Sequence, residues 1–536
     1  MSLRPAIGGD PARVLWRPGR PHFARHDSAA RGANSLIVNR PERPKSRPLR
    51  RVLVANRGEI ALRVIRACRV SGLGAVAVYS DADRTAAHVA AADEAHRIGP
   101  PPAAQSYLSV GAIIDAARTA GADAVHPGYG FLAENPALAQ ACADAGLVFV
   151  GPPAATLERC GDKAETRRAA RGAGVPILPG TDPLDDAALA REAGRIGFPV
   201  LLKAAGGGGG KGIHLVRAAA DLADAVRLAR GEARGAFGDD RVYVEKWLDR
   251  ARHVEVQILA DAAGSLVHLG ERECSIQRRH QKVIEEAPSP ALDASLRDAM
   301  GRAAVAAARA VGYVNAGTVE FVVSGREFYF LEINARLQVE HPVTEMVTGR
   351  DLACLQLAIA GGAPLGFGQD GVAVRGHAIE ARISAEDPDA GFVPWVGRVG
   401  EAVLPGGPGV RVDGALVAGM EVTRFYDPIL AKVIAWGETR ADAIARLAQA
   451  MRETVITGVP TTVPFHRWAL AHPVFREGSY TTRFVETEWE SRDRTPPDGA
   501  AEAAATLAHL AGRAVPAPVS RDGGAWAQAA RRDALS

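Results

Sequence analysis

The sequence predicts a multidomain chain, α/β at its N-terminal end and α+β beyond it. Three observations carry that expectation. A buried strand, an amphipathic helix and a second buried strand follow one another within about thirty residues from Arg51, the pattern of a parallel α/β layer. Successive glycines, Gly206 to Gly210, are framed by apolar strand-like segments on both sides. Beyond His253, apolar and polar residues alternate with period two, as in antiparallel strands that bury one face and keep the other polar.

Taken in order, residues 1–50 are rich in Arg and Pro, have few acids and show no periodicity. They are expected to be a disordered basic extension, with an Arg-rich targeting peptide or a start codon placed too far upstream as the alternatives. Arg51-Val52-Leu53-Val54 forms the first strand, Ile60 to Val70 the first helix and Ala75 to Tyr79 the second strand. The unit lacks G-x-G-x-x-G, so it offers no dinucleotide fingerprint. A small α+β module is expected from Lys163 to Leu248, with strands Val200–Lys203, His214–Val216 and Val242–Glu245. Alternation then marks strands at His253–Ile258, Thr318–Val322 and Phe328–Glu332. Residues 375–435 hold short strands split by Gly and Pro, and Arg440 to Val455 reads as a helix. The tail after about residue 490 is rich in Ala and Pro, with one weak helix from Ala500 to Leu510.

Bulk composition narrows the function classes. The 536 residues are 47% hydrophobic and 23% charged, as in a soluble globular protein. A net charge of +3 is too small to imply nucleic acid. The five cysteines (Cys68, Cys142, Cys160, Cys274 and Cys354) show no C-x-x-C spacing, which speaks against a disulfide framework or zinc site and fits a reducing cytoplasm. No apolar run approaches the ~18 residues that cross a bilayer, and the start has no apolar signal-peptide core.

Of 64 Lys and Arg, only Lys45, Lys163, Lys203, Lys211, Lys246, Lys282 and Lys432 are Lys. A chain that uses Arg almost everywhere and retains Lys in Gly-rich or densely charged segments points to compact charges that meet phosphate oxygens. The Lys203–Gly212 loop is not a Walker A, since position 205 is Ala and position 212 is Gly. Its glycines suit a flap whose N–H groups approach a phosphate. Glu332 and Asn334 share one strand face, and Glu320 lies on the preceding strand of a hairpin with them; carboxylate and amide oxygens suit Mg²⁺ or Mn²⁺ on nucleotide phosphates. Such Glu pairs are also common on solvated faces. Arg336, Gln338 and Glu340 are expected along one face of an extended segment, Arg336 to stabilise an oxyanion and Glu340 as the base beside it. The segment Arg272–Lys282, above all Arg278–Lys282, reads as a phosphate or bicarbonate pocket rather than a nucleic-acid site, since aromatics are missing and Glu285-Glu286 follow at once.

These segments together resemble the biotin carboxylase family of the ATP-grasp superfamily. The resemblance rests on Val54–Ala61, His126–Leu132, the glycine loop, Arg278–Lys282, Glu332–Glu345 and Gly376–Arg382, in the family's order across about residues 50–490. It implies a Rossmann-like N-terminal domain (51–160), an ATP-grasp domain (161–370) with a glycine-rich lid at about 178–247, and a mostly β C-terminal domain (371–490). It also implies that ATP and bicarbonate form carboxyphosphate, which carboxylates biotin on a separate carrier protein. By the same resemblance Lys163, Lys203, Gly209, Gly210, Glu245, Lys246, Leu248, His253 and His280 bind ATP. Glu320, Glu332 and Asn334 hold two Mg²⁺ or Mn²⁺; Lys282, Arg336, Gln338 and Val339 hold bicarbonate; Glu340 deprotonates it; Arg382 orients carboxyphosphate or biotin. Thr482–Trp489 looks like the α chains of acetyl- or propionyl-CoA carboxylases. Expected partners are a carboxyltransferase subunit, a biotin carboxyl carrier protein and a second copy of the chain. Another ATP-grasp carboxylate ligase and a two-subunit pyruvate carboxylase are the alternatives. Ala335, where the family usually has Thr, and Trp395-Val396 depart from the family pattern. Biotin attaches through lysine, and no lysine follows Lys432, so a biotinyl domain is expected on another chain, with a truncated gene as the alternative.

Overall fold

The computed structural model describes residues 48–205, 213–279 and 281–492. Gly209, Gly210, Lys211 and His280, the N-terminal extension and the expected helix from Ala500 lie outside the described residues.

The N-terminal layer is a five-stranded parallel sheet. Its strands are β1 (Arg51–Val54), β2 (Gly74–Ser80), β3 (Glu94–Gly99), β4 (Ala124–His126) and β5 (Val148–Phe149), in the order β3-β2-β1-β4-β5. Alternation along β1 divides the core. Val52 and Val54 pack with Ile60, Val64 and Ile65 of the helix Gly58–Val70. Leu53 faces Ile113 and Ala117 of the helix Val110–Thr119 on the other side. Both faces are therefore covered, as a parallel sheet requires. The turn after β1 is tied to the turn after β4: the Asn56 amide donates to the carbonyls of Pro127 and Tyr129, each at 2.7 Å. Gly128 lies at φ +65°, and a Cβ there would stand 2.9 Å from that amide nitrogen, so glycine is required on two counts.

The expected small module is a three-stranded sheet of β6 (Val200–Ala204), β7 (Ile213–Val216) and β8 (Val242–Lys246), with β6 central. Leu189 and Ala193 of the helix Asp186–Ile196, with Val226 and Ala229 of the helix Leu222–Phe237, cover it.

The largest element is an eight-stranded antiparallel sheet. It comprises β9 (Arg252–Ala260), β10 (Leu266–Arg278), β11 (Gln281–Ala287), β12 (Asn315–Ser324), β13 (Glu327–Asn334), β14 (His377–Ser384), β15 (Val410–Gly414) and β16 (Ile429–Gly437), in the order β13-β12-β9-β10-β11-β14-β16-β15. The C-terminal strands thus extend the preceding sheet through β11 and β14, where Glu285 opposes Glu380 and Ile284 opposes Ala381. Pairing there satisfies backbone groups that would otherwise form an open edge. Val254, Val256, Val319 and Phe321 bury one face under the helix Ala294–Ala310, which is capped by the Asp293 carboxylate accepting from the Leu296 amide at 2.8 Å. Ile379, Ala381, Val433 and Ile284 bury the same face farther along, under Ile444, Leu447 and Met451 of the helix Arg440–Glu453. The opposite face carries His253, Glu255, Glu320, Lys282, Glu285, Glu380, Arg382 and Lys432. No helix among the described residues is long and apolar enough to cross a membrane.

Candidate active site

The polar face of the eight-stranded sheet gathers charges of both signs. Lys282 on β11 donates to Glu255 at 2.5 Å, Glu340 at 2.6 Å and Glu320 at 2.9 Å. Arg382 on β14 donates to Glu340 at 2.8 Å and to Glu285 at 2.5 Å. Glu340 is completely buried. Burial favours its protonated form, but Lys282, Arg382 and Arg272 hold it well below the usual carboxylate range. It therefore stands ionised at neutral pH, the state a base needs. Arg272, also fully buried, braces the floor by donating to Glu255 at 2.5 Å, Gln257 at 2.7 Å and Thr344 at 2.9 Å.

The segment after β13 departs from the expected extended run. It turns at Val339 and Glu340, and Glu340 is the N-terminal flanking residue of the helix His341–Thr348, with φ −81° and ψ 11°. Period-two reasoning fails where the strand ends. Glu340 faces Lys282 and Arg382, whereas Arg336 donates to Glu134 at 2.9 Å, Gln338 at 2.8 Å and Asn334 at 3.3 Å. Gln338 in turn reaches Glu320 at 3.4 Å. The Arg278–Lys282 run also divides. Arg279 takes a positive φ of 50° in the β10–β11 turn, and Arg278 pairs with Glu490 at 3.1 Å. Only Lys282 of the described residues in that run reaches the carboxylate cluster.

A second group of cations lies toward the three-stranded module. Lys163 stands 2.9 Å from Glu332, and Lys203 donates to Glu245 at 2.5 Å. Arg167 pairs with the same Glu245. Burial, then Lys163 and Arg167, push the Lys203 ammonium down to about 7, against the pull of Glu332. Two half-buried lysines and the buried Arg167 share few acids here, which suits an incoming polyanion. Lys246 points to the other side of β8 and donates to the Gly197 carbonyl at 2.7 Å. Leu248 follows in the loop after β8.

Glu320 and Glu332 oppose each other in register on β12 and β13, with Asn334 two residues on. Their hard oxygen donors fit Mg²⁺ or Mn²⁺. Cations already face both carboxylates: His253 lies 2.9 Å from Glu320, which Lys282 also contacts, and Lys163 is at Glu332. Burial opposes charge on both His253 and Glu320, yet their mutual attraction raises the imidazole and, with Lys282, drops the carboxylate well below its ordinary value.

Sequence reasoning missed Glu134, Arg167, Glu255, Glu285 and Glu380. Glu255 was accessible from its period-two relation to His253, and Glu380 from its relation to Arg382. Glu134 and Arg167 carry no such local signal, because their partners come from other elements. Among the described residues neither Glu380 oxygen has a hydrogen-bond partner, and burial pushes this carboxyl well above its ordinary value.

A three-stranded module beside an antiparallel sheet, with half-buried lysines at the module and paired carboxylates on the sheet, is the arrangement of an ATP-grasp ligase. Residues 48–157 match the family described as biotin carboxylase, N-terminal domain; 162–367 the carbamoyl-phosphate synthase L chain, ATP binding domain; and 380–487 the biotin carboxylase C-terminal domain. A biotin carboxylase of Nostoc sp. is 50% identical over 442 residues, covering 81% of this chain and 98% of that one. A pyruvate carboxylase subunit of Methanothermobacter thermautotrophicus is 50% identical over 438 residues, covering 81% and 89%. The biotin carboxylase domain dimer of Hydrogenobacter thermophilus 2-oxoglutarate carboxylase, solved with MgADP, ADP and bicarbonate, superposes with a TM-score of 0.81 at 44% identity, covering 84% of this chain and 100% of that one. The chain belongs to the biotin carboxylase family, as the biotin carboxylase component of a biotin-dependent carboxylase.

Proposed function

We propose that this chain is the biotin carboxylase subunit of an acyl-CoA carboxylase, using ATP and bicarbonate to carboxylate biotin on a separate carrier protein. The observation that carries the reading is the ionised Glu340 held between Lys282 and Arg382. Glu340 takes the bicarbonate proton, and a bicarbonate oxygen attacks the γ-phosphorus of ATP. ADP leaves and carboxyphosphate forms. Lys282, Arg336, Gln338 and the Val339 backbone hold the bicarbonate. Arg382 orients carboxyphosphate or biotin, and Arg336 stabilises the biotin enolate.

Lys163 and Lys203 bind the ATP phosphates, and Gly209 and Gly210 close over them. Glu245, Lys246 and Leu248 line the adenine side, and His253 and His280 complete the nucleotide site. Glu320, Glu332 and Asn334 would hold two Mg²⁺ or Mn²⁺. When bound, these ions offset the phosphate charge that otherwise repels the attacking oxygen. Carboxyphosphate hydrolyses readily, so exclusion of water by a closing module is part of the mechanism.

The acyl-CoA assignment rests on the likeness of Thr482–Trp489 to acyl-CoA carboxylase α chains. The similarity to a pyruvate carboxylase subunit favours a second reading, in which an oxo acid receives the carboxyl group. The test is transfer of labelled bicarbonate to free biotin with Mg-ATP. ATP-dependent label in carboxybiotin supports the reading; ADP formation only with a different carboxylate would replace it by a general ATP-grasp ligase. Adding the carrier and carboxyltransferase with acetyl-CoA, propionyl-CoA or pyruvate then separates the two acceptors. Sedimentation of the purified chain tests the proposed homodimer.

A further inference from the structure

Building on the proposed reaction, we infer that Lys432 is a positioning residue that holds the bicarbonate-binding turn in register with its base. Lys432 is completely buried on β16. Its ammonium donates to the Val339 carbonyl at 2.7 Å and lies 3.2 Å from Glu59. The Tyr129 hydroxyl donates to the same Glu59 oxygen. Glu59 belongs to the first turn of the helix Gly58–Val70, so one ammonium joins the N-terminal layer, the C-terminal strands and the turn between β13 and its following helix.

The register gives this contact its meaning. Lys432 lies opposite Arg382 on β14. Arg382 grips the Glu340 carboxylate while Lys432 grips the carbonyl of the preceding residue. Two adjacent strands thus hold two consecutive residues of one turn. A third hold comes from His341, whose Nδ1 meets the Gln338 carbonyl at 2.8 Å. Glu59 and Asp413 keep the buried ammonium charged against the cost of burial. A compact ammonium suits a carbonyl and a carboxylate that meet at one point, which accounts for Lys in a chain that otherwise prefers Arg. None of these contacts involves Lys163, Lys203 or Glu245, so the effect is confined to the bicarbonate end.

The test is Lys432→Met, alone and with Glu59→Gln, which removes the unpaired carboxylate that the single change would bury while keeping an acceptor for Tyr129. Both variants are expected to raise the KM for bicarbonate at least about tenfold, the scale of a hydrogen bond to a charged group, with the Kd for ATP within about twofold of the parent. A double variant with unchanged bicarbonate KM would overturn the inference, as would equal losses of bicarbonate and ATP affinity, which mark a general loosening. If the parent chain itself shows no bicarbonate-dependent ATP cleavage, the proposed function fails as well; an active parent with an unaffected double variant sinks only the role of Lys432.

Discussion

A carboxylate buried without compensation takes up a proton, and Glu340 escapes that outcome because Lys282, Arg382 and Arg272 face it. Glu340→Gln keeps the shape and removes the proposed base. Bicarbonate-dependent ATP turnover should fall by about 10²–10⁴-fold while ATP affinity stays near that of the parent; unchanged turnover would remove Glu340 from the mechanism. Lys203 presents the opposite case. Burial, Lys163 and Arg167 push its ammonium down to about 7 in the free protein, and an incoming triphosphate restores the charged form. Binding of ATP at about pH 8 should therefore take up protons, seen in calorimetry as an enthalpy that varies with the buffer's ionisation heat. Lys203→Met should abolish that uptake and weaken ATP binding; uptake that survives the substitution belongs to another group.

At the level of elements, Glu286 ties β11 to the C-terminal helices. Its buried carboxylate accepts from His377 at 2.5 Å, from Arg440 at 2.7 and 2.9 Å, and from the Tyr480 hydroxyl. Burial alone would raise this carboxyl, but His377 and Arg440 lower it to about 2. An acid depressed by folding contributes stability above its unfolded value of 4.5, and that contribution is lost as pH falls toward about 2. The thermal midpoint of the parent should therefore drop across this window. Glu286→Gln should cost about 3–5 kcal/mol at neutral pH and flatten the acid-side dependence; an unchanged midpoint would show that the tie contributes nothing. Neighbouring strands divide their residues in a similar way. β9 and β12 bury alternate residues under the helix Ala294–Ala310 and turn the remainder toward the site, so one sequence periodicity builds both core and chemistry.

At the scale of the whole molecule, the eight-stranded sheet binds the middle and C-terminal parts of the chain into one unit. A fragment ending near residue 372 loses β14, β15 and β16, leaving β11 as an open edge and exposing Ile276, Val283 and Ile284. It should aggregate on expression, whereas residues 48–492 should fold and bind ATP; a folded, monomeric fragment would contradict the shared-sheet account. Local patterns made the parallel layer, the small module and the β12–β13 hairpin legible, because each depends on neighbours close in sequence. The union of β11 with β14 was not legible, since it joins strands about ninety residues apart and no periodicity records which edge meets which.

The residue types of the proposed site were determined by the sequence itself. Scarce lysines, alternating acids and a glycine run between apolar segments point to an anion-handling site from sequence alone, because charge, backbone freedom and period-two alternation are local properties. Tertiary structure decided which of those residues meet. Glu340 belongs to Lys282 and Arg382, Arg336 belongs to Glu134, and Lys432 reaches Val339 and Glu59. Those pairings depend on where a strand ends, where a helix begins and which strands share a sheet, and each is settled by packing between distant parts of the chain.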